Sequence, residues 1–283
     1  MFWVTAEEVS EAALQVGALM PIATDAEEVE EEGVCYLTHV LTSNAKKKPI
    51  VKKPIVKEIT ARNMQANPFL PYEQALFVAE AGSEHVCLLN KFPVLSPHLL
   101  ICSKRFVSQS SLLSRADFDS WLLGFTEPDV FGFFNSGPIA GASQPHRHMQ
   151  LVKTPIPLNT IISEGRLPFN HCVYSIGNRH LTTEYLYDCY RKAIETLGLL
   201  CIRQEEDARP YNLLLSRDWM VVIPRTKNNI QGVFSNGFNY SGRFLVKSRE
   251  QQQWLIQFGF MNYLRECARE CARECAREWG GGD

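Results

Sequence analysis

The chain has 283 residues, 45% hydrophobic and 21% charged, a balance that suits a globular core and excludes a collagen-like or disordered chain. With 29 Lys and Arg against 31 Asp and Glu the net charge is −2, so no global field advertises nucleic acid or an anionic membrane, and any phosphate site must be local. No apolar run is long enough to span a bilayer, and nine cysteines without a C-x-x-C pair argue against a disulfide framework or zinc ribbon, so a cytoplasmic protein, or a nuclear one in a eukaryote, is expected.

Val9, Ala12, Ala13, Val16 and Leu19 recur at helical spacing and predict a helix over 6–19. An acidic stretch at 25–32 precedes a basic one at 46–57, where Lys47-Lys48-Pro49-Ile50-Val51 is repeated at once as Lys52-Lys53-Pro54-Ile55-Val56. Prolines five apart exclude a helix there, leaving a solvated extended loop or a lysine loop that closes over polyphosphate. Strands are predicted over 85–91 and 98–103, then a helix over 114–125, a buried strand over 130–135, a glycine-bearing loop over 137–144 and a strand over 146–153. A helix over 182–197, an antiparallel pair over 211–216 and 219–224, and helix again from 249 complete the pattern. At the end Arg-Glu-Cys-Ala occurs three times from Arg265. Its period of four suits an exposed helix of expanded repeats, with metal capture by Cys267, Cys271 and Cys275 as the alternative.

The pattern that carries chemistry runs Asn135-Ser136-Gly137-Pro138-Ile139-Ala140-Gly141-Ala142-Ser143-Gln144-Pro145-His146-Arg147-His148-Met149-Gln150-Leu151. Strand alternation puts His146, His148 and Gln150 on one face and turns Met149 and Leu151 toward the core. Spacing alone admits structural histidines, a zinc pair or a catalyst; zinc needs a third protein ligand, and Gln150 is a poor one. Upstream, Gly137 and Gly141 with small neighbours let backbone amides approach an anion, although a tight turn uses the same residues. An anion-accepting loop feeding a strand that presents a histidine favours attack of a neutral imidazole on phosphorus. His39, His85, His98, His171 and His180 lack comparable neighbours and read as structural or surface residues, and Trp121 and Trp219 as core.

The His-x-His-x-Gln run resembles the transferase branch of the histidine-triad superfamily, specifically the diadenosine tetraphosphate (Ap4A) phosphorylases, or ATP adenylyltransferases. The likeness extends over about 67–257 through Leu88-Leu89-Asn90-Lys91-Phe92, the Gly141-Ala142-Ser143-Gln144 run, Tyr211-Asn212-Leu213-Leu214-Leu215 and Asp218-Trp219-Met220. It implies His148 as the nucleophile that takes up AMP, with His146 orienting it and Gln150 bonding phosphate. It implies nucleotide contacts from Asn90, Lys91, Asn135, Gly141, Ala142, Ser143, Gln144, Asn236, Gly237, Phe238, Arg243 and Lys247, and a phosphate-binding lysine near Lys48. Asn239 and Arg243 stand where the family pattern has a glycine and an uncharged residue.

The implied fold is α+β, a mainly antiparallel sheet flanked by helices in histidine-triad manner. The expected organisation is an N-terminal helix and basic loop at 1–66, a catalytic region at 67–257 forming one compact unit with it, and a helical tail at 258–283. The implied reaction is phosphorolysis of Ap4A by inorganic phosphate to ATP and ADP, with no organic cofactor, no protein-bound metal, and room for Mg2+. No nucleic acid or membrane partner is expected, and a monomer is. A hexose-1-phosphate uridylyltransferase-like enzyme and a non-catalytic nucleotide-binding module are the alternatives.

Overall fold

A computed structural model describes residues 2–42, 67–177, 181–200 and 208–268. The N-terminal helix α1 (Phe2–Gln15) buries Trp3, Ala6, Ser10 and Ala13. It starts earlier and ends sooner than the predicted 6–19, and Val16 is 71% exposed. Trp3 sets the register, because its side chain is buried and its indole N–H donates to the Gly124 carbonyl at 2.8 Å.

The strands β3 (Phe77–Ala81), β4 (His85–Leu89), β5 (His98–Ser103), β6 (Val130–Asn135), β7 (His148–Lys153), β8 (Cys172–Ser175), β9 (Tyr211–Leu215) and β10 (Trp219–Pro224) form one sheet in the order β3-β4-β5-β7-β6-β9-β10-β8. Every neighbouring pair is antiparallel. Helices α2 (Arg115–Leu122) and α4 (Thr183–Thr196) begin at capped residues, Ser114 in a reciprocal pair with Asp117 and Thr182 accepting from the Tyr185 N–H. With α1 they cover one face, where Phe118, Trp121, Leu186, Tyr190 and Ile194 pack on Leu99, Ile101, Phe134, Met149, Leu151, Leu213 and Met220. Met149 and Leu151 therefore point inward, as alternation requires.

The other face is covered in two separate patches. Strand β1 (Thr24–Glu31) pairs antiparallel with β2 (Val34–Leu41), and β2 pairs in parallel with β13 (Arg243–Val246), making a second sheet. Tyr36, Val40, Phe244 and Val246 from that sheet, with Leu255, Phe260, Tyr263 and Leu264 from α5 (Arg249–Phe258) and α6 (Phe260–Cys267), pack over Phe131, Phe133, Leu214 and Val221. At the opposite end Phe69 covers Val86, Leu88, Leu100 and Cys102. Strand β7 lies between β5, whose Leu100 belongs to the second patch, and β6, whose Phe133 belongs to the first.

The acidic stretch is thus a strand. Two of its carboxylates are tied down: Glu27 pairs with Arg249, and Glu31 accepts the Phe260 N–H at 3.0 Å at the start of α6. Gly259, at φ +90°, separates α5 from α6, and a Cβ there would sit 2.9 Å from that Glu31 carboxylate. The remaining elements are the short helix α3 (Asn159–Ser163) and a small hairpin, β11 (Asn229–Ile230) with β12 (Val233–Phe234). No helix among the described residues is long and apolar enough to cross a membrane. The lysine duplication, including Lys48, and the repeat beyond Ala268 lie outside the described residues.

Candidate active site

His148 opens β7, buried at 4% exposure. Its Nδ1 lies 2.8 Å from the His146 carbonyl, an acceptor only, so Nδ1 carries the proton and Nε2 keeps its lone pair. Burial is the main cause holding the imidazole neutral, with its pKa pushed down to about 4. A neutral ring with a fixed tautomer is what nucleophilic attack at Nε2 needs.

His146 cannot share that role. Its Nδ1 accepts from the Asn67 carboxamide at 2.8 Å and its Nε2–H donates to the Ser103 carbonyl at 2.8 Å. The ring is wedged edge-on against Phe69 and Phe106, with centroids 5.5 and 5.6 Å away, and Phe69 also touches the His148 ring at 5.4 Å. With both His146 nitrogens engaged, a zinc pair of His146 and His148 would lack its His146 ligand atom. His146 acts on its neighbour through its carbonyl.

Gln150 stands two residues on, and its Oε1 accepts from His98 Nε2–H at 2.9 Å. His98 Nδ1 in turn accepts from the Asn90 carboxamide at 3.2 Å. Burial pushes the His98 pKa down to about 4, so this ring is neutral too. The chain Asn90, His98, Gln150 leaves the Gln150 NH2 group as a donor for a phosphoryl oxygen. His98 thus bonds to two of the expected site residues, Gln150 and Asn90, although spacing alone gave it no comparable neighbour. The clue was available, since the antiparallel pairing of 98–103 with 146–153 brings His98 beside the His-x-His-x-Gln face. Lys91, partly exposed, forms an ion pair with Glu73 at 2.6 Å.

The glycine-bearing loop is held against the later motif by buried polar groups. Asn135 Oδ1 accepts from the Gly237 N–H at 2.7 Å and from the Asn212 carboxamide at 2.8 Å. Asn212 also donates to the Ala140 carbonyl at 2.9 Å, and its own oxygen accepts from Arg225. Arg225, 4% exposed, extends the network to the carbonyls of Cys267, Lys227 and Ser235. Gly141 adopts φ +93°, and a Cβ there would come within 2.5 Å of the Ser235 carbonyl. Only glycine permits that approach. Asn236 caps its own turn by accepting from the Phe238 N–H at 2.9 Å, and Phe238 packs on Phe133 at 5.6 Å. Ala142 is half-buried and donates its N–H to the Gly137 carbonyl at 3.0 Å; Gln144 is also half-buried and Ser143 exposed.

Two family models divide the chain between them. One described as the Ap4A phosphorylase N-terminal domain matches residues 1–174, and one described as the ATP adenylyltransferase C-terminal domain matches 165–270. The chain belongs to the Ap4A phosphorylase family.

Among curated relatives of the family, diadenosine 5',5'''-P1,P4-tetraphosphate phosphorylase 2 of Saccharomyces cerevisiae is 29% identical over 227 residues, covering 65% of this chain and 70% of its own. Protein APA1 of the same yeast is 25% identical over 218 residues, covering 64% and 68%. The crystal structure of yeast Ap4A phosphorylase Apa2 shares the fold, with a TM-score of 0.78 at 21% identity over 96% of both chains. Its complex with Ap4A gives 0.76 at 22% identity, over 94% of this chain and 97% of that one. The family match separates the chain from the hexose-1-phosphate uridylyltransferase alternative.

Within this Ap4A phosphorylase-family fold two expected contacts stand apart from the His148 cluster. Arg243 is buried on β13, its Nε donating to the Pro155 carbonyl at 3.3 Å and a terminal nitrogen 3.5 Å from His39 Nε2. Lys247 lies over the Phe234 ring at 4.9 Å. The structure thus joins Asn90, Gln150 and His148 in one group, and Asn135, Gly141, Asn236, Gly237 and Phe238 in a second. Strands β6 and β7 connect the two groups.

Proposed function

We propose that the chain phosphorolyses Ap4A inside the cell, taking a dinucleoside polyphosphate and inorganic phosphate to ATP and ADP through an adenylyl-His148 intermediate. The observation that carries this is the bond from His148 Nδ1 to the His146 carbonyl, which leaves Nε2 unprotonated in a buried, neutral ring. In the first step Nε2 attacks the α-phosphorus, the bond to the bridging oxygen breaks, and ATP leaves. In the second step an oxygen of phosphate attacks the same phosphorus, the P–N bond breaks, and ADP departs with the imidazole restored.

The Gln150 NH2 group supplies donors for the oxygens of the transferred group, joined by loop amides beyond Ala142, since the Gly141 and Ala142 N–H groups turn inward to the Pro138 and Gly137 carbonyls; preorganised hydrogen bonds of this kind contribute most to such reactions. An amide neither takes nor gives a proton near neutral pH, so Gln150 does not activate water, and the intermediate waits for phosphate. No group of three or more His, Cys, Asp or Glu side chains converges among the described residues. A divalent cation such as Mg2+, where one takes part, would enter on the polyphosphate, whose oxygens suit it as ligands.

The deciding experiment incubates the protein with Ap4A, with and without phosphate, and separates the products by chromatography. Phosphate-dependent ADP plus ATP is the expected result, with an acid-labile AMP adduct on the native protein and none on His148→Ala. Equal turnover by His148→Ala, or AMP as the main product with phosphate present, would overturn the reading.

A further inference from the structure

Gln109 lies outside the His-x-His-x-Gln and glycine-bearing motifs, yet its carboxamide makes three hydrogen bonds to the backbone of His148 and Asn135. Strands β6 and β7 pair from Val130 with Lys153 to Phe133 with Gln150. Continued in register, the ladder would bring Phe134 opposite Met149 and then Asn135 opposite His148. Instead the Gln109 carboxamide fills the gap. Its Oε1 accepts the His148 N–H at 2.8 Å, and its Nε2–H groups donate to the Asn135 carbonyl at 2.9 Å and the His148 carbonyl at 3.1 Å. The residue is 1% exposed, and its own N–H donates to the Pro145 carbonyl at 2.8 Å.

A carboxamide presents a donor and an acceptor side by side, as a peptide group does, so it replaces the missing ladder contacts while holding the two strands apart. The parted ends are where β6 passes into the glycine-bearing loop and where β7 starts with His148. We propose that Gln109 is a positioning residue for adenylyl transfer, a wedge that sets the separation between the anion-accepting loop and the attacking imidazole. This rests on the adenylyl-His148 reading. Gln109 touches no reacting atom; it fixes where His148 begins relative to Asn135.

The wedge needs both halves of the amide, which gives the test its form. Gln109→Met keeps the length and removes every hydrogen bond. Gln109→Glu keeps an acceptor for the His148 N–H but turns a carboxylate oxygen toward two carbonyls, which raises the pKa of the new acid. A displacement of ~1 Å at a reacting group costs on the order of 100-fold in rate. Both variants should therefore lose about 100-fold in kcat at pH 7.5 with KM within about threefold. Adduct formation and its phosphorolysis should slow alike. Gln109→Glu should recover rate as pH falls toward 5, where the protonated acid again donates, while the native enzyme does not.

Leu186→Ala, a core truncation on α4, is the stability control and should keep its kcat per folded molecule. A folded Gln109→Met with kcat within threefold of native would overturn the wedge. So would a loss that appears in KM alone or that matches Leu186→Ala. Should Gln109→Met fail to fold, Gln109→Glu decides: absence of acid recovery counts against the proposal. If the native protein itself forms no AMP adduct, the functional reading fails first and the wedge with it, an outcome distinct from an active enzyme indifferent to Gln109.

Discussion

His98 donates its Nε2–H to Gln150 Oε1 at 2.9 Å, and because Asn90 occupies the other ring nitrogen, the Gln150 amide has one stable orientation. Replacing His98 with Phe keeps the bulk and removes the acceptor–donor relay. The Gln150 amide could then turn its oxygen toward the phosphate, where it repels. The expected outcome is a fall in kcat of about 100- to 1000-fold, the usual range for losing one preorganised donor. A double-mutant cycle checks it: His98→Phe should cost little further in a Gln150→Ala background, because the two act as a unit. Additive losses would show that His98 works independently of Gln150.

Gln150→His puts a group able to carry a proton where the amide cannot. Water activation should become competitive, and the ratio of AMP to ADP at fixed phosphate should rise. Product ratios by chromatography settle the matter, and an unchanged ratio counts against the proposed role of the amide.

How much of this site could be read from the chain alone follows from the range of each interaction. That 98–103, 130–135, 146–153, 211–216 and 219–224 hold strands follows from short apolar runs bounded by turn residues, a local signal, and β5, β6, β7, β9 and β10 all lie in the sheet. The acidic strand β1 escaped because it is an edge strand whose polar residues face outward on both sides, so no alternation marks it. His98 and Gln109 escaped for a different reason. Their roles exist only once β5 lies beside β7 and the segment after β5 folds back on the β6–β7 gap, and neither register nor splay is written in spacing. Arg225 and Asn212, whose network spans Ala140 to Cys267, are likewise visible only in three dimensions.

Acid should affect stability before it affects chemistry. His148 and His98 both titrate near about 4 in the folded chain, against about 6.5 when unfolded. Between those values the unfolded chain binds more protons than the folded one, so stability is fully present above about pH 6.5 and declines as pH falls toward 4. Each ring contributes on the order of 2–3 kcal/mol to that decline. Urea unfolding at pH 7.5 and 5 should show the loss, and His98→Phe should make it shallower. Adduct formation by the folded enzyme should persist to pH 5, since the nucleophile is still neutral there. An ascending limb near pH 6.5 in single-turnover rates would contradict this.

The Arg225 network predicts a stability effect away from the reacting atoms. Arg225→Met removes a buried cation whose donors serve Asn212 and the carbonyls of Cys267, Lys227 and Ser235. Leaving those acceptors unsatisfied should cost about 3–5 kcal/mol, and the midpoint of urea unfolding reads it directly. Because Asn212 also holds Asn135 and Ala140, AMP affinity should drop as well, even in the folded fraction.

Gly141 supplies the last test, because there the glycine-bearing loop meets the 235–237 turn at close range. A methyl on Gly141 would lie 2.5 Å from both the Asn236 Cβ and the Ser235 carbonyl, at a φ of +93° that L residues avoid. Neither neighbour is the free end of a flexible side chain, so the glycine-bearing loop must move off the 235–237 turn. Gly141→Ala should lose about 1–3 kcal/mol of stability through this strain. It should also weaken AMP binding by about tenfold or more, since about 1.4 kcal/mol of lost contact is already a factor of ten. Ser143→Ala, exposed in the same loop, should stay within about 0.5 kcal/mol of native in stability. Titration with AMP followed by urea unfolding on both variants separates the outcomes: equal AMP affinity in Gly141→Ala and the native protein would mean that the contact between loop and turn does not shape the nucleotide site.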